Sequence, residues 1–354
     1  MRRFRNPRSL NNTLNQLSTN LIGSWRRQTL RERRIVVIIN PAAGQDKPIL
    51  KAINSTLQAA GVDWNMVITR QAGDGFRLAR HAIAAGADTV VAYGGDGTVA
   101  EVASGLGGSK TVLGIIPGGT SNWIANSFGV PRDITQALSL ILDPDHSVYS
   151  LHLGLINKIF FIQMIGIGLE AKLVEGAGRD RKERFGPLAY GLSALQSIAN
   201  PEIAHYHLNL DNNVVEAEGV TCMVVNADNL ILPALSGMEP GPRNGLLDIF
   251  IPQRADLRAI FSVAATMAGG GPDLIRLPHW QARKILIETD SPQLVQSDGE
   301  IIGHTPIRIK VTSRVVRVVV SPDKVSRLSS YSLEGEEEDE LEPTEFDGSS
   351  PLAL

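Results

Sequence analysis

Residues 89–106 read TVVAYGGDGTVAEVASGL. A short β-rich apolar run ends in two glycines, an acid, a third glycine and a threonine, and a helical pattern begins at once. Continuous apolar runs of this length belong to strands buried on both faces of a parallel sheet. A loop with so little side chain lets a large, negatively charged ligand lie against the backbone. Thr98 and Glu101 also stand at capping-box spacing, so turn and cap chemistry alone is a competing account of the same residues.

The pattern recurs on either side. RIVVIIN (34–40), WNMVIT (64–69) and TVLGIIP (111–117) are runs of the same kind. Helical patterns alternate with them: Ile49, Leu50, Ile53 and Leu57 share one face before Gly61, and Phe76, Ala79 and Ile83 do so before Gly86. DITQALSLIL (133–142) follows the fourth run. This alternation predicts an α/β fold, a doubly wound parallel sheet with helices on both faces. Such sheets bind ligands outside the carboxyl ends of their strands. There the chain reads NPAAG (40–44), TRQAGDG (69–75), GGDGT (94–98) and PGGTSN (117–122). Four glycine-rich loops near helix N-termini offer backbone N–H groups to phosphate oxygens, and their convergence points to a polyphosphate ligand rather than to turn geometry alone. Neither the GxxxxGK[ST] phosphate loop nor a GxGxxG after the first strand is present.

From about Val148 strand follows strand. HLGLINKIFFIQM (152–164) turns at Asn157-Lys158, HYHLNLDNNVVEAEG (205–219) turns at Asp211 to Asn213, and LVQSDGEIIG (294–303) turns at Asp298-Gly299, so three hairpins are expected. Helical stretches at roughly 186–199 and 255–268 interrupt an otherwise antiparallel β domain. The expected domains are a basic amphipathic extension (1–33), a nucleotide-binding α/β unit (34–147), a β-rich unit (148–325) and an acidic tail (326–354), with the active site in the cleft between the two folded units.

The 354-residue chain carries a net charge of −3 that hides opposed ends. Residues 1–34 hold nine arginines against Glu32, and residues 334–347 hold nine acids and no base. The remaining 25 basic and 27 acidic residues nearly cancel, which argues against nucleic acid as a partner. Leu10, Leu14, Leu17 and Leu21 form one helical stripe with Trp25 beyond it, suited to lying on an anionic membrane surface or to docking on protein. No continuous apolar run has the length of a signal peptide or a membrane span. The single cysteine, Cys222, excludes a disulfide framework and suits a reducing cytoplasm. His205 and His207 alternate along one strand without an apparent third metal ligand, and surface strand polarity accounts for them better.

NPAAG, GGDGT and PGGTSN at these spacings resemble the catalytic domain of the diacylglycerol kinase and sphingosine kinase superfamily, in its bacterial soluble lipid-kinase branch. The resemblance continues through GIGLEA (166–171), RFGPLAYGLSAL (184–195), NGLLDIFI (244–251) and SDGE (297–300), and so spans roughly residues 34–321. GGDGT alone is shared with NAD kinases and phosphofructokinases; the later motifs separate the lipid kinases from them. The resemblance implies transfer of phosphate from ATP to a lipid hydroxyl, with ATP and Mg2+ as cofactors and a membrane lipid as acceptor. A second copy of the chain is an open expectation among its partners.

Carried over residue by residue, Asn40, Gly44 and Thr69 would contact nucleotide. Gly94, Gly95, Asp96, Gly97 and Thr98 would surround its phosphates, Asp96 would lie near Mg2+, and Thr120 and Asn122 would line the same cleft. Asp298 is the candidate base, with Glu300 second, although Asp-Gly is also a favoured hairpin turn. Asp248 resembles a position tied to a structural cation. The chain departs from many relatives at Gln45 and Asn126, where they carry basic residues, and at Trp123, where they carry aspartate. Lys47 is the cation nearest Gln45, and Lys182 or Arg184, before FGPLAY, would supply positive charge from the second domain.

Overall fold

In a computed structural model of the protein, four apolar strands lie parallel in the order β2-β1-β3-β4: β1 (Arg34–Ile39), β2 (Asp63–Ile68), β3 (Thr89–Gly94) and β4 (Val112–Pro117). Every residue of β3 and β4 is buried, which requires cover on both faces of the sheet. The helices α1 (Ile49–Ala60), α2 (Asp74–Ala84), α3 (Asp96–Leu106), α4 (Trp123–Ser127) and α5 (Ile134–Leu142) follow their strands, and α1 packs with α5 while α2 packs with α3. The structure describes residues 33–44, 48–120, 122–176, 202–226, 245–252 and 279–324. The basic extension, the acidic tail and the helical stretches expected at 186–199 and 255–268 lie outside the described residues, as do Gln45, Lys47, Lys182 and Arg184.

The later strands are β5 (Ser147–Ile156), β6 (Ile159–Phe161), β7 (Met164–Gly168), β8 (Ala204–Leu210), β9 (Asn213–Gly219), β10 (Thr221–Asn226), β11 (Leu247–Phe250) and β12 (His279–Ala282). They continue with β13 (Lys284–Thr289), β14 (Leu294–Ser297), β15 (Glu300–His304) and β16 (Ile307–Val320), and α6 (Leu169–Gly176) follows β7. A six-stranded antiparallel sheet has the order β12-β11-β10-β7-β14-β15. The other strands extend the first sheet. Its long strand β16 runs parallel to β4 at Arg317 and Val318 and antiparallel to β5 and β13, and the sheet continues through β8 to the edge strand β9. The first sheet is therefore continuous across residue 147. Two apolar cores result, one around the parallel strands and one between the extended sheet and the six-stranded sheet.

All three expected hairpins form, and each turn uses the left-handed backbone that Asn, Asp and Gly tolerate: φ is 51° at Asn157, 49° and 75° at Asp211 and Asn212, and 47° and 90° at Asp298 and Gly299. Gly61 ends α1 in the same conformation. One expectation changes, and the two histidines find surface partners. Ile53 and Leu57 of α1 are buried, but Leu50, in the first turn, is 53% exposed. His205 and His207 face carboxylates, Glu218 for the first and Asp290 and Glu216 for the second, and among the described residues no group of three His, Cys, Asp or Glu side chains is placed to hold a metal ion.

Candidate active site

Ending four parallel strands at one level gathers their loops. A cavity of about 1190 Å3 opens there. Asn40, Gly44, Thr69, Gly95, Asp96, Gly97, Thr98, Thr120 and Asn122 all line it, and Glu300 reaches it from the six-stranded sheet. Nine of the residues expected at nucleotide from four separate loops therefore share one space with an acid from the second sheet.

The loops are bound to one another by short polar links. Asn40 Nδ2 donates to Thr98 Oγ1 (2.8 Å), tying the first loop to α3. Glu101 accepts from the Gly73 and Gly75 amides (both 2.8 Å), tying α3 to the second loop. These bonds displace the competing capping-box account: Thr98 and Glu101 serve neighbouring loops, and Gly95 occupies the N-cap position with no side-chain cap. Asp74 steadies the second loop by accepting from the Arg70 and Gln71 amides and from Arg77 Nη2, whose hydrogen bond chiefly holds its carboxyl below the ordinary carboxylate value. Asn122, at φ 51°, donates to the Gly119 carbonyl and accepts from the Gly119 amide (both 2.7 Å).

Close backbone approach explains the glycines. A Cβ on Gly119 would stand 2.6 Å from Gly95 Cα, so the third and fourth loops touch through their main chains. Gly94 serves packing: it does not line the cavity, and a Cβ there would press into the Thr98 side chain at 2.6 Å. Gly44, at φ 96°, abuts the Tyr93 hydroxyl.

The acids divide by setting. Asp96 Oδ1 accepts from the Ile124 amide (2.9 Å), while Oδ2 has no partner among the described residues. Glu300 lies over Gly97, and burial, with the charge of Glu101 added, raises its carboxyl above the ordinary value. Asp298 does not line the cavity. Its Oδ1 accepts from the Gln163 and Met164 amides (2.9 and 3.0 Å) and its Oδ2 from the Ile162 amide (2.8 Å). Burial pushes the Asp298 carboxyl up to about 6; the three amides oppose that rise, and the charge of nearby Asp96 adds to it.

Asp248 lies apart from the cavity, fully buried on β11, with Gln281 Nε2 donating to Oδ1 (2.9 Å) and Oδ2 left without a partner among the described residues. Burial raises its carboxyl above the ordinary value. A buried unpaired oxygen is compatible with a bound cation, which would draw its other ligands from backbone and water. Sequence reasoning passed over Arg70 and Arg132, both exposed at the cavity wall. Arg132 precedes a plain helix cap, Asp133, and no local pattern distinguishes it from a solvated residue.

Comparison with known proteins assigns this arrangement. The diacylglycerol kinase catalytic domain matches residues 34–152, and the YegS C-terminal NAD kinase beta sandwich-like domain matches residues 163–320. The chain carries a diacylglycerol kinase catalytic domain followed by a YegS-like C-terminal domain. A diacylglycerol kinase of Bacillus subtilis is 26% identical over 84% of this chain and 99% of its own length. An uncharacterized Synechocystis protein is 30% identical over 65% of the chain, which spans only 54% of that relative. Among solved structures, a diacylglycerol kinase of Bacillus anthracis superposes with a TM-score of 0.65 at 27% identity, covering 82% of this chain and 98% of that one. Kinases with this catalytic domain use a nucleotide, and the cavity lies where the fold rule for parallel sheets places one.

Proposed function

We propose that the protein transfers the γ-phosphoryl group of ATP to a hydroxyl of a diacylglycerol-like membrane lipid. The observation that carries this reading is the placing of Glu300 over Gly97 in the cavity that the four loops share: an acid of the second sheet stands against the loop built for phosphates. Phosphoryl transfer asks mainly for in-line positioning and for neutralisation of the equatorial oxygens, with the alcohol proton removed late. Asp96 Oδ2, without a partner among the described residues, and the Glu300 carboxylate beside Gly97 would hold an Mg2+ ion, which when bound would supply that neutralisation.

Asp298 is the base in this reading. A carboxylate offers about four lone-pair sites, and three of those on Asp298 accept backbone amides, which leaves one on Oδ2 for an incoming hydroxyl, directly or through water. A carboxyl near 6 is a stronger base than an ordinary aspartate and is still ionised at neutral pH. The left-handed turn at Asp298-Gly299 fits both hairpin and catalyst, because it directs the side chain back onto the β6–β7 connection.

The membrane surface enters this reading through residues 1–33. No described helix is long and apolar enough to cross a membrane. The deciding experiment incubates the purified protein with γ-labelled ATP, Mg2+ and dioleoylglycerol in anionic vesicles, with NAD as a parallel acceptor. Label in phosphatidic acid supports the reading; label in NADP, or nucleotide bound with no transfer to any acceptor, overturns it.

A further inference from the structure

The turn that carries Asp298 is held from behind by a second acid. Gln296, 1% exposed on β14, accepts the Gly299 amide at its Oε1 (2.7 Å) and donates from Nε2 to Glu170 Oε2 (2.9 Å). Glu170 is fixed in turn: it lies in the first turn of α6, where the Leu169 amide donates to the Val220 carbonyl (3.1 Å) and its own amide to Thr221 Oγ1 (3.4 Å), both on or beside β10. Its side chain then crosses the β7 backbone at Gly166, against which any Cβ would collide with the Glu170 carboxylate.

The bonds have one consistent direction. A backbone N–H can only donate, so Gln296 must turn its carbonyl to Gly299; its NH2 then needs an acceptor on the opposite side, and Glu170 supplies it. An amide flipped the other way would set donor against donor at Gly299. A buried carboxylate is an expensive acceptor where a neutral one would do, and burial pushes Glu170 up to about 7.

We propose that Glu170 and Gln296 are positioning residues for phosphoryl transfer: Glu170 holds the Gln296 amide in the orientation that grips Gly299 and so fixes the turn bearing Asp298. This rests on the reading of Asp298 as base. Loosening the turn leaves the nucleotide loops untouched, because among the described residues none of the Glu170 contacts lies in the first sheet. The effect therefore belongs to kcat and not to the KM for ATP.

The test uses the full chain with ATP, Mg2+ and dioctanoylglycerol in mixed micelles, with thermal unfolding recorded for every variant. Glu170→Leu and Gln296→Leu are each expected to lower kcat about 10- to 100-fold, with the KM for ATP within about twofold and the double variant no worse than the poorer single one. Glu170→Gln, whose amide oxygen still accepts from Gln296, is expected to restore kcat to within about threefold. Wild-type kcat in both leucine variants, alongside an inactive Asp298→Asn, overturns the positioning role and spares the base. Matched losses in kcat, ATP affinity and unfolding temperature, unrescued by Glu170→Gln, reduce the pair to a structural role and overturn it as well. Near-normal kcat in Asp298→Asn removes the base reading and this inference together.

Discussion

Asp96 splits its work between its two oxygens, and that division makes its substitution informative. Oδ1 holds the Ile124 amide at the start of α4, and asparagine can do the same through its own oxygen, so Asp96→Asn should leave the unfolding temperature nearly unchanged. The charge on Oδ2 is lost, and turnover should fall by 1000-fold or more, on the order of an electrostatic stabiliser's removal; activity within tenfold of wild type contradicts a phosphate or metal role. Protonation separates the other acids. Glu170, ordinarily 4.5, stands at about 7 in the fold, and Asp298, ordinarily 3.8, at about 6. Both raised values mean that the folded state binds more protons than the unfolded one, so stability is greatest below the unfolded values and falls as pH rises toward the folded ones. For Glu170 the window is pH 4.5 to 7 and the loss at most about 3 kcal/mol. Glu170→Gln should flatten chemical-denaturation midpoints between pH 5 and 7 and raise the midpoint at pH 8; an unchanged slope contradicts a buried, destabilised carboxylate. The turn at Asp298 was legible because Asp-Gly marks one, while the candidacy of Asp298 as base came only from the resemblance carried by SDGE. Gln296 was not legible, since its value lies in which way its amide faces across two strands.

At the level of elements, hydrophobic period and turn chemistry carried far. The four parallel strands, the helix stop at Gly61 and all three hairpin turns follow from residues a few positions apart. The failures share one cause, that a side chain was read against its own element while its partner lay on another. Thr98 and Glu101 bond to the first and second loops instead of capping α3, and Gly94 makes room for Thr98 instead of facing ligand. Two glycines of the site accordingly predict different outcomes. At Gly119 a methyl would meet Gly95 Cα at 2.6 Å, a backbone atom that no rotamer change can move aside. Overpacking of about 1–3 kcal/mol falls on the paired third and fourth loops, so Gly119→Ala should weaken ATP binding roughly tenfold or more by calorimetry. Gly73→Ala meets nothing within 4 Å and strains only its left-handed backbone at φ 82°. It should lower stability by about 1 kcal/mol with ATP affinity within threefold. Equal affinities in the two variants contradict main-chain contact as the reason for the Gly95-Gly119 pair.

On the scale of the whole molecule, β16 settles how the two halves are joined: from near the end of the described chain it returns to lie beside β4, and the parallel sheet runs on into the β-rich half. No local pattern announces that pairing, because parallel neighbours are set by long crossovers. The proposed function requires the cleft of this core to reach a hydroxyl at a bilayer surface, and nearly balanced charge gives that core little attraction for anionic lipid. The attraction must come from elsewhere, and residues 1–32 carry seven arginines against one glutamate together with the leucine stripe. Arg33 belongs to the core instead: its guanidinium donates to Thr89 Oγ1 (3.4 Å) and the Ile141 carbonyl (3.5 Å), which sets the truncation point before it. Basic residues near an anionic leaflet contribute about 1 kcal/mol each before screening, and buried leucines add to this. The acidic tail, with nine carboxylates between 334 and 347, opposes them by repulsion from the lipid or by pairing with the arginines. Deleting 1–32 should therefore abolish co-sedimentation with phosphatidylglycerol vesicles and lower activity on vesicle-borne diacylglycerol at least tenfold, while activity on a short-chain soluble analogue stays within twofold. Deleting 334–354 should strengthen vesicle binding at low salt and change little at 0.5 M, where the Debye length shrinks to about 4 Å. Unchanged co-sedimentation after the N-terminal deletion would assign the arginine-leucine segment to a protein partner, and the core would then need another way to the membrane.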